Sequence, residues 1–119
     1  MNQTFPKSAR LLKSAEFRHV YDHGSYAADG VLVVNVAPSD HESARLGVVV
    51  SKKVGNAVVR QRWKRVLRDA FRTQKHLLPA GWDIVVRPRR GSTCDTPEVR
   101  RSIARLTQKA CRKFQAANK

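Results

Sequence analysis

The chain has 119 residues, with 24 lysines and arginines against nine acidic residues, a formal net charge of +15 and 41% hydrophobic residues. That length fits one domain, residues 1–119, able to bury a core without disulfide or metal staples. No stretch approaches the apolar run of a membrane span. The N-terminal residues lack the apolar stretch and small-residue cleavage site of a secretory signal. Cys94 and Cys111 stand far apart with no histidine pair nearby, which is neither a zinc site nor a disulfide framework, and they are expected to be reduced thiols. The expected location is the cytoplasm, with no membrane contact.

In chain order, residues 1–13 read as extended, with Pro6 opposing an early helix. Ser14 suits the N-cap of a short helix over 15–23, with Glu16 at its positive end and Gly24 as its stop. Leu12, Phe17, Val20 and Tyr21 give that segment an apolar side. Residues 24–30 contain Gly24, Ser25, Asp29 and Gly30 and read as a loop. Residues 31–37 (VLVVNVA) are a strand by β-branched content, and 45–51 (RLGVVVS) the expected partner in an antiparallel hairpin. Asn56 suits the N-cap of a helix over about 57–74. Residues 82–87 (WDIVVR) form a third long strand. Thr96 caps a last helix with Pro97 at its first position, and residues 115–119 are expected to fray. The expected order is αββαβα: an α+β fold with a layer of helices on a small mixed sheet.

The charge is not evenly spread. Residues 1–51 hold five basic and five acidic residues, whereas 52–119 hold nineteen and four. The densest part is the segment 52–75, where nine basic residues face only Asp69. Val59, Trp63, Val66, Leu67, Ala70 and Phe71 recur on one helical face, and Arg60, Lys64, Arg68 and Arg72 form an i, i+4 row on another. Like charges along a helix repel unless a polyanion relieves them. Arginine also suits bidentate phosphate contacts and stacking on bases, so the segment is read as a nucleic-acid-binding helix.

No catalytic constellation accompanies it. His19, His23, His41 and His76 lack metal-ligand spacing, the acidic residues form no cluster for a two-metal nuclease, and no phosphate-cradling glycine loop is present. Phe17 and Tyr21, four residues apart, could stack on unpaired bases. The plainer reading of the pair is core packing.

The run SKKVGNAVVRQRWKRVLRDAFR, residues 51–72, closely resembles the signature of the bacterial ribonuclease P protein family: a basic pair, a turn, then Arg-Asn-Arg-x-Lys-Arg-x-x-Arg-x-x-Phe. RLLKSAEFRHVYDHG, RLGVVVSKK and LPAGWDIVVRPR resemble other parts of the same family, so the likeness covers nearly the whole chain. Gln61 departs from the usual asparagine and lengthens that side chain by a methylene.

The resemblance implies a ribosomal-protein-S5-domain-2-like fold with a left-handed βαβ crossover through the basic helix, against the general right-handed rule. It implies a subunit of ribonuclease P, an endoribonuclease whose RNA carries the chemistry with Mg²⁺ held mainly by that RNA. The partners would be ribonuclease P RNA and precursor tRNA, with no obligate protein partner. Lys53, Arg60, Gln61, Arg62, Lys64, Arg65 and Arg68 would face the catalytic RNA. Phe17, Tyr21, Val34 and Lys52 would line a cleft for the 5′ leader of precursor tRNA. No catalytic or metal-ligating residue is expected on this chain. The alternatives are a structural ribosomal RNA-binding protein and, less in keeping with the missing acidic cluster, a stand-alone nuclease.

Overall fold

The structure is a computed structural model that describes residues 10, 11 and 13–118. Helix α1 spans Ser14–His23, strand β1 Ser25–Ala28, β2 Leu32–Pro38, β3 Arg45–Val48, helix α2 Ala57–Thr73, strand β4 Trp82–Pro88 and helix α3 Thr96–Ala117. A one-turn 3-10 helix, Lys52–Val54, leads into α2. The extended reading of the first residues lies outside the described residues up to position 9, as does the placement of Leu12. The Leu11 N–H donates to the Leu46 carbonyl at 2.9 Å, which lays the start of the described chain along β3.

The sheet order is β1-β2-β4-β3, antiparallel except for the parallel β3–β4 pair. Two expectations are corrected here. Residues 25–28 are not loop but an edge strand, paired with residues 33–36 of β2. The expected hairpin between β2 and β3 does not form, because β4 lies between them. Ile84, Val85 and Val86 are all fully buried, and a strand apolar on both faces belongs at the centre of a covered sheet. Gly24 matters for close approach rather than for an unusual backbone angle. A Cβ there would sit 1.9 Å from the Val36 carbonyl oxygen and 2.6 Å from that of Val20.

Helices cover both faces of the sheet instead of forming one layer. On one face, Trp63, Leu67 and Phe71 of α2 and Val99, Ile103 and Leu106 of α3 pack on Leu32, Val34, Val36, Leu46, Ile84 and Val86. On the other, Val20 of α1 packs with Leu11, Ala37 and Val85, and Phe17 and Val49 close the margin. Side chains alternate across a strand, so even positions of β2 and β4 face α2 and α3, and odd positions face α1.

Helix starts follow local chemistry. Asn56 Oδ1 accepts the Val59 N–H at 3.0 Å and starts α2, as the sequence indicates. The cap of α1 is Lys13, one residue before Ser14, and its N–H donates to Glu16 Oε1 at 2.9 Å. Asp95, not Thr96, caps α3, accepting from the Glu98 N–H at 3.4 Å. A carboxylate at the N-cap also complements the helix dipole. The helix continues to Ala117, past the expected start of fraying.

Two carboxylates tie the elements together. Asp83 on β4 takes a bidentate bond from Arg45 on β3, Nε to Oδ1 at 2.8 Å and Nη2 to Oδ2 at 2.7 Å. Arg45 Nη1 reaches Glu16 of α1 at 2.8 Å. Asp29, in the β1–β2 turn, accepts the N–H groups of Val31 and Leu32 on Oδ1, and the Ser102 hydroxyl and Arg105 on Oδ2. Burial alone would raise the Asp29 carboxyl above its ordinary range. The bonds from Leu32, Ser102, Val31 and Arg105 outweigh that and hold it below. A carboxylate whose value is depressed on folding adds stability above its unfolded value, about 3.9, and loses it as pH falls through the folded value. Denaturant titrations should therefore show wild type losing more stability than Asp29→Asn between about pH 5 and pH 2. Parallel curves would contradict the assignment.

Candidate nucleic-acid interface

Helix α2 fixes the basic residues by burying its other side. Trp63, Val66, Leu67, Ala70 and Phe71 are buried, which turns Gln61, Arg62 and Arg65 outward and leaves Arg60, Lys64 and Arg68 half-buried along the flanks. The most open cations are therefore Arg62 and Arg65 rather than the i, i+4 row that stands out in the sequence. Ala57, Val58, Gln61, Arg62 and Arg65 line a groove of about 570 Å³. Val58 in its lining is 78% exposed. Among the described residues, the ion pairs of the helix are confined to Arg72 with Asp69, at 3.0 Å. Burial pushes the Cys94 thiol up, the charges of Arg62 and Arg65 pull it partly back, and Asp95 adds to the rise. Cys111 lies deeper, with its thiol pushed up to about 11 by burial.

A second hollow, of about 380 Å³, lies beside α1 and is lined by Ser14, Phe17, Arg18, Tyr21, Asp22 and Val49. Phe17 is half-buried against Gly47, where an added Cβ would come within 2.5 Å of its ring. Tyr21 is 41% exposed. The Arg87 guanidinium carbon lies 5.5 Å from the centre of the Tyr21 ring, and Arg87 Nη2 donates to Asn35 Oδ1 at 3.2 Å. Burial raises the Tyr21 hydroxyl above its ordinary value and Arg87 offsets this in part, so the hydroxyl stays a neutral donor at physiological pH.

Val34 does not belong to this hollow. It is fully buried in the core beneath α2 and α3, and alternation points it away from α1. Its neighbours Val33 and Asn35, and Arg87 paired beside them, occupy the α1 side. Strand parity could have signalled this, because Phe17 and Tyr21 must share a face with the odd positions. The chain itself links the two surfaces. It runs from Val49 at the hollow, through exposed Lys52 and Lys53, to Ala57 and Val58 at the groove.

Residues 5–111 match the family model described as Ribonuclease P. The chain belongs to the ribonuclease P protein family. It is 34% identical to the ribonuclease P protein component of Petrotoga mobilis over 112 residues, which covers 90% of this chain and 95% of that one. The solved RNase P protein of Staphylococcus aureus superimposes with a TM-score of 0.78 at 32% identity, covering 87% of this chain and 96% of that one. That of Thermotoga maritima gives 0.77 at 31% identity, with 84% and 96% covered. The chain is thus a protein subunit of ribonuclease P, and a ribosomal role is not favoured. Membership implies an RNA partner in the holoenzyme, and the chemistry of that ribonuclease is consistent with a site on the RNA. Among the described residues, no group of three or more His, Cys, Asp or Glu side chains converges on a point where a metal ion could sit.

Proposed function

We propose that the outward face of α2 docks on ribonuclease P RNA, while the hollow beside α1 receives the single-stranded 5′ leader of precursor tRNA. Lys53, Arg60, Gln61, Arg62, Lys64, Arg65 and Arg68 are the residues assigned to the first surface. Phe17, Tyr21 and Lys52 are assigned to the second, with Asn35 and Arg87 in place of Val34. The observation that carries the reading is the continuity of the two surfaces through Lys52 and Lys53. One small protein can then hold the RNA and align the strand to be cut.

The RNA hydrolyses the phosphodiester with Mg²⁺ bound mainly to its own phosphates, in the cytoplasm where precursor tRNA is processed. The protein contributes phosphate neutralisation and stacking, neither of which reads base edges, so leaders of differing sequence are accepted. Gln61 keeps the amide of the family's asparagine at a longer reach and lies exposed at the groove, where it can touch RNA.

Leader recognition predicts a specific deficit. Phe17→Ala removes a stacking platform worth about 1–3 kcal/mol per base. Holoenzyme carrying it should lose about 5- to 150-fold in affinity for precursor tRNA while its affinity for mature tRNA stays unchanged. Equal losses for both RNAs would show that Phe17 supports the fold rather than the leader.

A further inference from the structure

The cations of α3 are not used by either surface described above. Between Thr96 and Ala117 this helix carries Arg100, Arg101, Arg105, Lys109, Arg112 and Lys113 against Glu98 alone. Its core side, with Val99, Ile103, Leu106 and Ala110, is fully or almost fully buried. At 3.6 residues per turn that burial sends Arg101, Arg105 and Arg112 outward in one column, with Lys109 at its side. Helix α3 packs over β1 and β2, whereas α2 packs toward β3 at the opposite edge of the sheet.

Two of these cations are held in place. Arg105 is anchored by Asp29. Lys113 Nζ donates to the Tyr26 carbonyl at 2.7 Å and lies 4.7 Å from the centre of the Tyr26 ring. Tyr26, on the edge strand β1, is 56% exposed. Lys113, the residue after Arg112, thus sits at an open aromatic ring, and cations on one helix with such a ring at its flank suit a single-stranded RNA backbone with a stacked base. A lipid surface fits less well, because the apolar side of α3 is committed to the core and nothing remains to insert.

We propose that the outward face of α3, together with Tyr26, is a second RNA-binding surface, which holds an RNA segment separate from the one on α2. The subunit would then bridge two strands, with α2 serving one edge of the sheet and α3 the other. The assignment rests on α3 and β1 alone and stands independently of the α2 reading.

The test uses the whole protein and a fluorescent single-stranded RNA of about 12 nucleotides, within the site size of such surfaces. Binding stoichiometry is measured for wild type, for Arg101→Gln/Lys109→Gln/Arg112→Gln and for Arg62→Gln/Arg65→Gln. Among the described residues the first three side chains make no ion pair, so the triple variant should melt like wild type. Each variant should bind one RNA fewer per monomer than wild type. In the triple variant, the slope of log K against log salt for binding to refolded ribonuclease P RNA should flatten by about 2, at about 0.7 for each single-strand phosphate no longer neutralised. A triple variant that binds as many RNAs as wild type with an unchanged slope overturns the proposal. If the Arg62/Arg65 variant binds as many RNAs as wild type while the triple variant loses one, the α3 surface stands and the α2 assignment fails.

Discussion

Replacing Asp83 with alanine lowers the stability of the fold by about 3–5 kcal/mol, the range for removing one partner of a buried ion pair. For a chain of this size that is a drop in melting temperature of about 10–20 °C. The cause is the arginine left behind. Arg45 is buried between β3, β4 and α1, and two of its three bonds go to Asp83. Without the carboxylate its charge stays, because a guanidinium is not deprotonated in proteins and Glu16 still faces it. Asp83 and Arg45 replaced together, as Arg45→Met/Asp83→Leu, should recover most of the loss, since well-packed apolar residues often match or exceed a buried ion pair. Thermal melts of wild type and the two variants check this. A single variant within 1 kcal/mol of wild type would contradict the role given to the pair. Glu16 connects the same network to α1, so the Asp83 variant should also weaken leader discrimination, through the position of Phe17.

Arg62→Ala/Arg65→Ala should leave stability almost unchanged and reduce affinity for ribonuclease P RNA by about 100-fold near 0.1 M salt, at roughly 1.4 kcal/mol for each charge-assisted phosphate bond. The salt dependence should flatten as well, by about 0.7–0.9 for each phosphate released. Arg72→Ala gives the contrast on the same helix. That guanidinium already pairs with Asp69, and its removal should cost RNA affinity only a few-fold. Filter binding across a salt series separates the two cases. Equal losses for the double variant and for Arg72→Ala would mean that the helix acts by total charge and not by its outward face.

The three helices and three of the strands are legible in the residues, because each combines a strong apolar period with local start or stop chemistry. The pattern of α2 is the clearest. Trp63, Leu67 and Phe71 repeat on one face, Asn56 caps the start, and the same burial directs Arg62 and Arg65 outward. β1 is hard to see because it is four residues long, lies at the sheet edge and has the glycine, serine and aspartate of a loop around it. The place of β4 between β2 and β3 is a tertiary choice. Nothing local to VLVVNVA or RLGVVVS records it, although the unbroken apolar run in WDIVVR is a sign of a central strand. Val34 stands one residue away from the positions that face the hollow, and in a strand that is a full change of face. The Arg45–Asp83 pair spans 38 positions. Its only trace in the sequence is one charged residue at the start of each of two apolar strands, and pairing them requires knowing that β3 and β4 are neighbours.

The most direct measurement is precursor-tRNA cleavage at low millimolar Mg²⁺ with the protein alone, bacterial ribonuclease P RNA alone and both together. Removal of the 5′ leader should be efficient only when both are present, with no cleavage by the protein alone and loss of the stimulation with Arg62→Ala/Arg65→Ala. Cleavage by the protein without RNA, or no stimulation of the RNA by the protein, would contradict it.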